Sequence, residues 1–337
     1  MPVDYFDPRV LVGVINRMAP QYDLITSLFF NHQAPSNVEL FELHIKTEDQ
    51  TLAPVVNKYE GGRIVEVGNG TVVQVKAPRF RMKVPYQAAD MIKNGVGYTP
   101  YEQEANPIER KIAEDLLELR RRVDNSIEYM TSQIVTTGKV KLVDKVDGKN
   151  VTMYELDNRM PSNHKVSLTG NALWSASTSS ILNNVEDWVL RIEESSGQTP
   201  TDLVVGKNVW SNFLRHVDVK DNYDNRRIDF GSLTPRVQNK FKGTWNGLNV
   251  WTYAGKVKDN TNTPVSYLDP NSILLGSNSA DTVIEHARPL DLVCTGPTQF
   301  FAKTFDQDDP SGTFLVVEAR PLPWARRPET FLCAKVL

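Results

Sequence analysis

A long amphipathic segment, residues 106–137, is the feature that most constrains the fold of this chain. Its apolar side chains recur at steps of three or four and form one continuous stripe: Ile108, Ile112, Leu116, Leu119, Val123, Ile127, Met130 and Ile134. This period places residues on a single face of an α-helix. Asn106 and Pro107 suit the first positions of a helix, and Gly138 suits its end. The sequence therefore predicts a helix of about nine turns, whose apolar face needs a large core.

A second feature, between residues 61 and 85, predicts a two-stranded ribbon. The Gly68-Asn69-Gly70 sequence favours a tight turn, because Asn and Gly tolerate positive φ angles. Apolar and charged residues alternate beyond it, as in strands with one buried face. An isolated hairpin is marginally stable in water, so we expect its apolar side to be covered by a neighbouring copy, with its cations facing acidic residues there. The expected interface residues are Val65, Val67, Val73, Val75, Lys76, Arg79, Phe80, Arg81, Met82 and Lys83.

The other segments mix helices and strands without strict alternation, which favours an α+β fold over a doubly wound sheet. Residues 1–60 predict an extended arm with short elements, because prolines interrupt their apolar runs. A hairpin is predicted around Asp147-Gly148, an amphipathic helix over 179–196, and a strand–turn–helix unit over 201–216. From residue 248 onward the patterns are mostly those of strands.

Composition limits the classes of protein to which the chain can belong. Its 337 residues suggest about two domains, and its net charge of −3 gives no sign of an electrostatic nucleic-acid binder. Cys294 and Cys333 are the only cysteines, too few for a disulfide framework, so a reducing compartment is expected. No signal-peptide pattern and no membrane-spanning apolar run is visible. We therefore expect a soluble chain, made in the cytosol, that does not bind a membrane.

Signatures of catalysis are absent from the sequence. The five histidines are scattered without metal-ligand spacing, and neither a phosphate-binding loop nor a GxSxG motif occurs. We expect no enzyme activity, no metal and no cofactor. Arg120, Arg121 and Arg122 could contact the phosphates of nucleic acid, although on a helix they point in different directions and Glu118 is placed to pair with one of them.

An extended arm, a projecting ribbon and the lack of a catalytic site together suggest self-association. Several phrases, in this order along most of the chain, resemble the major capsid proteins of tailed bacteriophages, the lambda-type protein E family with the Hong Kong 97-type fold. The phrases are QIVTTGKVKLVDKVDGKNVTMYEL, HKVSLTGNALWSASTSSILNNVEDWVLRIEESSGQTPTDLVVGKNVWSNFLRH, GLNVWTYAGKVKD, YLDPNSILLGS and EARPLPWARRPETFLCAKVL.

The resemblance implies both an architecture and a function. It implies an N-terminal arm (1–52), an extended β-hairpin loop (53–104), a peripheral domain (105–165 and 313–337) with a spine helix at 106–137, and an axial domain (166–312). It implies a major capsid protein that assembles in the host cytoplasm, as pentamers and hexamers, into the icosahedral shell of a virion around double-stranded DNA. Further expected partners are a portal protein and a scaffolding protein made as a separate chain; a decoration protein is left open.

Two other classes of function remain open at this point. An encapsulin-like compartment would use the same shell architecture around protein cargo, and an enzyme with an unfamiliar site would remain monomeric and bind a small molecule. A tail-tube or decoration protein is disfavoured, because those proteins are usually shorter and lack the long helix. Lys76 and Lys83 match the lysine type that crosslinks in some family members, but no motif carries that chemistry over to this chain.

Overall fold

The computed structural model describes residues 7–19, 23–46, 70–87, 107–176, 178–224, 240–259, 261–278, 280–294, 296–308 and 312–337. These residues form a mixed α+β fold, as the sequence predicts. The predicted strand at 64–67, with Val65 and Val67, lies outside the described residues, as do Gly68, Asn69 and Asn106.

The described chain begins with two short helices and four strands. They are α1 (Pro8–Arg17), α2 (Leu24–Phe29), β1 (His32–Ser36), β2 (Leu40–Lys46), β3 (Gly70–Lys76) and β4 (Phe80–Gln87). Helix α1 starts where the sequence favours a start, because the Asp7 carboxylate accepts a hydrogen bond of 2.8 Å from the Arg9 amide and Pro8 follows it.

The predicted long helix is confirmed as α3 (Pro107–Thr137), which has 31 residues and is about 46 Å long. The predicted stripe is its buried face, with Ile112, Leu116, Leu119, Val123, Ile127, Met130 and Ile134 all buried. The side chain of Ile108 lies outside the described part of the chain. Gly138 ends the helix with a φ of +69°, and a Cβ atom there would collide with Met160.

Two further local predictions are confirmed next along the chain. The hairpin consists of β5 (Lys139–Val146) and β6 (Lys149–Asp157), and Asp147 and Gly148 both have positive φ angles at its turn. After the short strand β7 (Lys165–Ser167), the second amphipathic helix is α4 (Ile181–Ser196). Ser180 caps its start, and Gly197 ends it in the left-handed conformation.

The strand–turn–helix unit is also confirmed, as β8 (Asp202–Gly206) followed by α5 (Lys207–Arg215). Helix α6 (Val217–Asp224) comes after it. Strands then dominate, as predicted: β9 (Phe241–Trp245), β10 (Leu248–Tyr253), β11 (Lys256–Lys258), β12 (Pro264–Ser266), β13 (Ser272–Gly276), β14 (Thr282–Ala287), β15 (Phe301–Gln307), β16 (Gly312–Ala319), β17 (Pro321–Ala325) and β18 (Leu332–Lys335).

The described strands form two three-stranded sheets, one six-stranded sheet and three two-stranded ribbons. The six-stranded sheet has the order β7-β18-β13-β8-β10-β9 and encloses one apolar core together with α4 and α5. A second core surrounds α3 and includes the sheet β15-β16-β4 and the sheet β1-β14-β17. Each core thus has its own long amphipathic helix.

The described strands of the predicted ribbon, β3 and β4, pair with other segments of the chain. Strand β3 is antiparallel to β2, with Val73 opposite Leu43, so its partner among the described residues comes from the N-terminal side. Strand β4 instead joins β16, with Arg81 opposite Glu318. Phe41, Leu43 and Ile45 of β2 are buried and give β3 an apolar face with which to pair.

The predicted boundary at 312/313 does not coincide with a boundary between sheets. The last strand, β18, pairs with β13 and β7 inside the six-stranded sheet, although the family resemblance implied that 313–337 belong to the domain of the long helix. Leu332 and Ala334 are fully buried in the core of that sheet, beside Ile273. The end of the chain thus shares a sheet with strands of the predicted axial segment, and the division into domains stays a prediction.

Candidate assembly surface

The cations predicted to face a neighbour find their partners within the chain. We define the ion cluster as Arg79, Arg81, Asp291, Lys303 and Glu318. Arg79 donates to Glu318 from Nε (3.0 Å to Oε1) and Nη2 (2.8 Å to Oε2), and Arg81 Nη1 donates to Oε2 at 3.0 Å. The pairing of β4 with β16 brings these side chains together, so the contact is set by sheet register.

Glu318 is the centre of the ion cluster and is only 1% exposed. Besides the two arginines, its Oε1 accepts a hydrogen bond of 2.8 Å from the Leu290 amide. Burial alone would raise the pKa of Glu318, but hydrogen bonds from Arg79 and Leu290 and the charges of Arg79 and Arg81 together lower that pKa below its ordinary value. The carboxylate is therefore ionised and fully hydrogen-bonded at neutral pH.

Asp291 forms the second anionic position of the ion cluster, with a side chain 5% exposed. Lys303 Nζ lies 2.6 Å from its Oδ2, and Arg81 Nη2 lies 3.7 Å from the same atom. Burial opposes ionisation here too, yet the contacts with Lys303, the Val293 amide and Arg81 lower the pKa of Asp291. Both carboxylates hold the loop after β14 against the β4–β16 sheet.

The other two cations of the predicted row also contact their own chain. Lys76 Nζ lies 3.4 Å from Glu39 Oε1 in an exposed pair, and Lys83 Nζ lies 3.5 Å above the ring centre of Phe314 and 4.7 Å from that of Phe305. Each described cation of this row thus contacts acidic or aromatic groups of its own chain. Contact of the row with acidic residues of a neighbour stays a prediction.

The apolar side of the predicted ribbon is likewise covered within the chain. Val73, Val75, Phe80 and Met82 are partly buried and pack against the core around α3. Part of the cover expected from a second copy therefore comes from the same chain, and contact of these side chains with a neighbour stays a prediction. Val65 and Val67 lie outside the described residues, so their predicted contact stays a prediction.

Other apolar side chains do remain on the surface. Leu40 and Val72 on the β2–β3 ribbon are 41% and 50% exposed, and Val151 and Met153 on β6 are 41% and 62% exposed. A groove of about 630 Å³ separates the ribbon from the β5–β6 hairpin. This part of the molecule therefore presents apolar groups outward.

The three arginines predicted to face DNA differ in position. Arg120 is 4% exposed, donates to the Ile15 carbonyl oxygen, and lies beside Asp124 and the ring of Phe300. A DNA-facing role for Arg120 is therefore wrong, because α1 covers the side of α3 on which Arg120 lies. Arg121 and Arg122 are exposed, and Arg122 pairs with Glu118 at 2.5 Å, as the i,i+4 spacing predicts.

A buried carboxylate on α3 joins three distant parts of the chain, and sequence reasoning missed it. Glu128 is 1% exposed; it accepts hydrogen bonds from the amides of Ile25 (2.9 Å) and Thr26 (3.0 Å) and from the Tyr253 hydroxyl (2.8 Å). Burial is the main effect that raises the pKa of Tyr253 well above its ordinary value. The negative charge of Glu128 and its hydrogen bond with the Tyr253 hydroxyl raise this pKa further. Glu128 thus ties the N-terminal segment and β10 to the long helix. The one available signal was an acidic residue on the otherwise buried side of an amphipathic helix.

Buried histidine and cysteine side chains, which could in principle act in catalysis, contact other residues of the chain. The rings of His164, His216 and His286 are buried and lie next to Ser195, Ser179 and Gln33 respectively. Burial raises the pKa of Cys333 to about 12, which disfavours a reactive thiolate. Within the described ranges no group of three or more His, Cys, Asp or Glu side chains could hold a metal ion. No described helix has the length and apolarity needed to cross a membrane.

Comparison with protein families decides the class of this molecule. The family model described as phage major capsid protein E matches residues 7–336. This chain belongs to the phage major capsid protein E family. The resemblance predicted from the order of sequence phrases is thereby confirmed, and the surfaces described above are those of a capsid subunit.

Solved structures show the same fold at low sequence identity. A protein described as the capsid protein of a prophage of E. coli CFT073 is 17% identical with a TM-score of 0.71, over 98% of this chain and 99% of that chain. A phage-related protein of Bordetella bronchiseptica RB50 is 11% identical with a TM-score of 0.56, over 97% and 96%. The SrpI encapsulin of Synechococcus elongatus PCC 7942 is 10% identical with a TM-score of 0.50, over 96% and 90%. None of the curated proteins matches this chain.

Capsid subunits of this fold build shells from many copies of themselves, so the functional site of this family member is its outer surface. The ion cluster and Glu128 are internal and shape that surface, whereas the exposed apolar groups on the ribbon, on the hairpin and around Leu292 are open to contact. The Hong Kong 97-type fold predicted from the sequence is confirmed by these structural neighbours.

Proposed function

We propose that copies of this capsid protein assemble as pentamers and hexamers into the icosahedral head of a tailed phage, which encloses double-stranded DNA. The observation that carries the proposal is the family match over residues 7–336. The likeness in fold to a prophage capsid protein over nearly all of both chains supports it further. The role is structural: the subunit forms a wall and catalyses no reaction.

The element that reaches the next subunit in this proposal is the ribbon formed by β2 and β3, of which β3 lies within the predicted extended loop at 53–104. Three observations support this choice. The ribbon is two-stranded among the described residues, Leu40 and Val72 are exposed on it, and a groove separates it from the β5–β6 hairpin. Strand β4, by contrast, is held in the sheet of β16 and belongs with the body of the subunit.

Other partners follow from the same proposal. Assembly in the host cytoplasm would also involve a portal protein and a separate scaffolding protein. A decoration protein is left open. Packaged DNA would be contacted without sequence preference. Of the three arginines first considered, Arg121 and Arg122 stay candidates for that contact, because both are exposed on α3.

The content of native particles tests the proposal against its main alternative. An encapsulin-like compartment is the second candidate, because the SrpI encapsulin shares the fold with a TM-score of 0.50. Particles purified from producing cells would be treated with nuclease, opened, and assayed for protected DNA and for protein cargo. Protected double-stranded DNA of uniform length is the expected result. Particles filled with an enzyme and free of DNA would contradict the phage-head proposal and favour the compartment.

A further inference from the structure

The loop between β14 and β15 carries a group of apolar side chains at its outer end. We define the apolar tip as residues 290–293. Leu290, Leu292 and Val293 are 50%, 104% and 53% exposed, so three of these four side chains face solvent and Leu292 is not sheltered at all by its own chain. Clustered exposed aliphatic groups on a soluble protein mark a contact site more often than scattered ones do.

The backbone of the apolar tip is held in place at both ends. Glu318 accepts a hydrogen bond from the Leu290 amide at 2.8 Å, and the Asp291 carboxylate accepts one from the Val293 amide at 3.1 Å. Arg288 Nη2 donates to the Cys294 carbonyl oxygen at 2.6 Å, which closes the loop below the tip. Because the ordering cost is already met in the folded subunit, little conformational entropy is left to lose when the tip binds a partner.

The charges next to the apolar tip indicate the chemistry of its partner. Three cations, Arg79, Arg81 and Lys303, face the two carboxylates of Asp291 and Glu318, which leaves one net positive charge beside the tip. The chain as a whole has a net charge of −3. Because two copies of equal net charge repel each other at long range, only local complementarity can favour a second copy, and an apolar surface with an acidic border would fit the tip.

A surface of this chemistry occurs on the chain itself. The groove beside α4 has a volume of about 640 Å³ and is lined by Leu182, Val189, Leu190 and Leu248, with Glu186 at its border. Leu190 is 56% exposed there. The same molecule thus carries the apolar tip, which has a cationic border, and this apolar groove, which has an acidic border. A contact between different surfaces of identical subunits needs such a complementary pair.

We propose that the apolar tip is a contact between copies of this chain in the assembled shell, with Leu292 as its central anchor. This inference rests on the proposed function, because it names one of the surfaces through which the shell forms. The contact is heterologous: the tip of one copy meets a different surface of the next copy.

Substitution of Leu292 tests the contact. Leu292→Asp places a charge in the apolar contact, and we expect the protein concentration needed for assembly to rise about tenfold or more. Leu292→Met, the matched control, keeps an apolar side chain and should assemble like the wild type. Sedimentation velocity would measure assembly. Thermal unfolding of the unassembled subunit should be the same for all three proteins, because Leu292 is fully exposed.

Two results separate this inference from the proposed function. If the wild type forms shells and Leu292→Asp forms them at the same concentration, the apolar tip is not a subunit contact, while the proposed function stands. Failure of the wild type to assemble even when it is produced together with the products of its neighbouring genes would contradict the proposed function, and this inference with it.

A photo-crosslinking residue placed at position 292 gives a second measurement that does not depend on weakened assembly. Irradiation of assembled shells should yield covalent dimers, and mass spectrometry of the adducts would identify the residues contacted on the second copy. Irradiated shells that contain no covalent dimers would overturn the proposal.

Discussion

The guanidinium group of Arg79 donates two hydrogen bonds to the carboxylate of Glu318, at 3.0 and 2.8 Å. The two residues are 239 positions apart; Arg79 directly precedes β4, and Glu318 belongs to β16. Their geometry is the bidentate one that makes arginine–carboxylate pairs both strong and directional. In the sequence the cations of this row have no evident partner, but in the folded subunit Arg79 is paired with Glu318 of the same chain.

Removal of the Glu318 carboxylate should destabilise the subunit. Glu318→Gln removes the negative charge that three donors share, and we expect a loss of about 1–3 kcal/mol in the free energy of unfolding at pH 7. The expected loss of stability is no larger because Arg79 and Arg81 are partly exposed, and water would hydrate them in the variant. Urea denaturation of the unassembled subunit would measure the difference, with Glu118→Gln in an exposed pair as the control, expected within about 0.5 kcal/mol.

The pH dependence of that difference follows from the sign of the pKa shift. The folded protein lowers the pKa of Glu318 below its ordinary value of 4.5, so the contribution of the carboxylate is complete above that pH and is lost as the pH falls through the lowered pKa. The gap between wild type and Glu318→Gln should therefore be widest near neutral pH and narrow in acid. A gap that stays constant down to the acid limit would contradict the ionised assignment.

Glu128→Gln should loosen the N-terminal segment. An amide presents one acceptor oxygen and places an NH₂ group against an N–H donor, so at least one of the amides of Ile25 and Thr26 loses its partner. We expect a destabilisation of about 1–3 kcal/mol. Hydrogen exchange should accelerate first in α2, and α4, which lies in the other core, serves as the internal reference. Unchanged exchange in α2 would show that Glu128 does not hold this segment.

The buried face of α3 should be far less tolerant of substitution than its outer face. Ile127 is fully buried, whereas Leu117 on the same helix is 49% exposed. Ile127→Ala is expected to cost about 2–5 kcal/mol through lost burial and the cavity it leaves. Leu117→Ala, the matched control, should change stability by about 0.5 kcal/mol or less. Chemical denaturation of both variants measures the contrast, and equal losses would contradict the assignment of the faces.

His286 should remain neutral well below neutral pH. Burial lowers its pKa from the ordinary 6.5 to about 4. As the pH falls from 6.5 towards 4 the unfolded chain takes up a proton that folded His286 does not, so stability decreases over that window by up to about 3 kcal/mol. NMR titration of the imidazole measures the pKa directly. A titration midpoint near 6.5 in the folded protein would contradict this environment.

The elements that the sequence predicts well are those whose signals are local. The stripe and the C-terminal Gly138 define α3, positive φ at Asp147 and Gly148 defines the hairpin, and Ser180 caps α4. In each case the residues that form the contact lie within one or a few turns of each other. Local propensity and pattern therefore carry enough information to fix the element and its ends.

Strand partners and the ion cluster could not be predicted in the same way. Strand β3 had an equally alternating partner in residues 40–46, but nothing local indicates which of several apolar strands will pair with it. Glu318 gives no sign in the sequence that it will meet Arg79. The expected contact of the ribbon with a neighbouring copy stays a prediction, whereas the family indicated by the order of sequence phrases is confirmed. That identity rests on the match over residues 7–336.

Electron cryomicroscopy of the chain, produced together with the products of its neighbouring genes, tests the central claim most directly. The account predicts closed icosahedral shells in which density for residues 7–336 fits every capsomer position, at both five-fold and six-fold sites. A protein that remains monomeric at the highest concentration at which it is soluble, with no closed particles under any of these conditions, would contradict it.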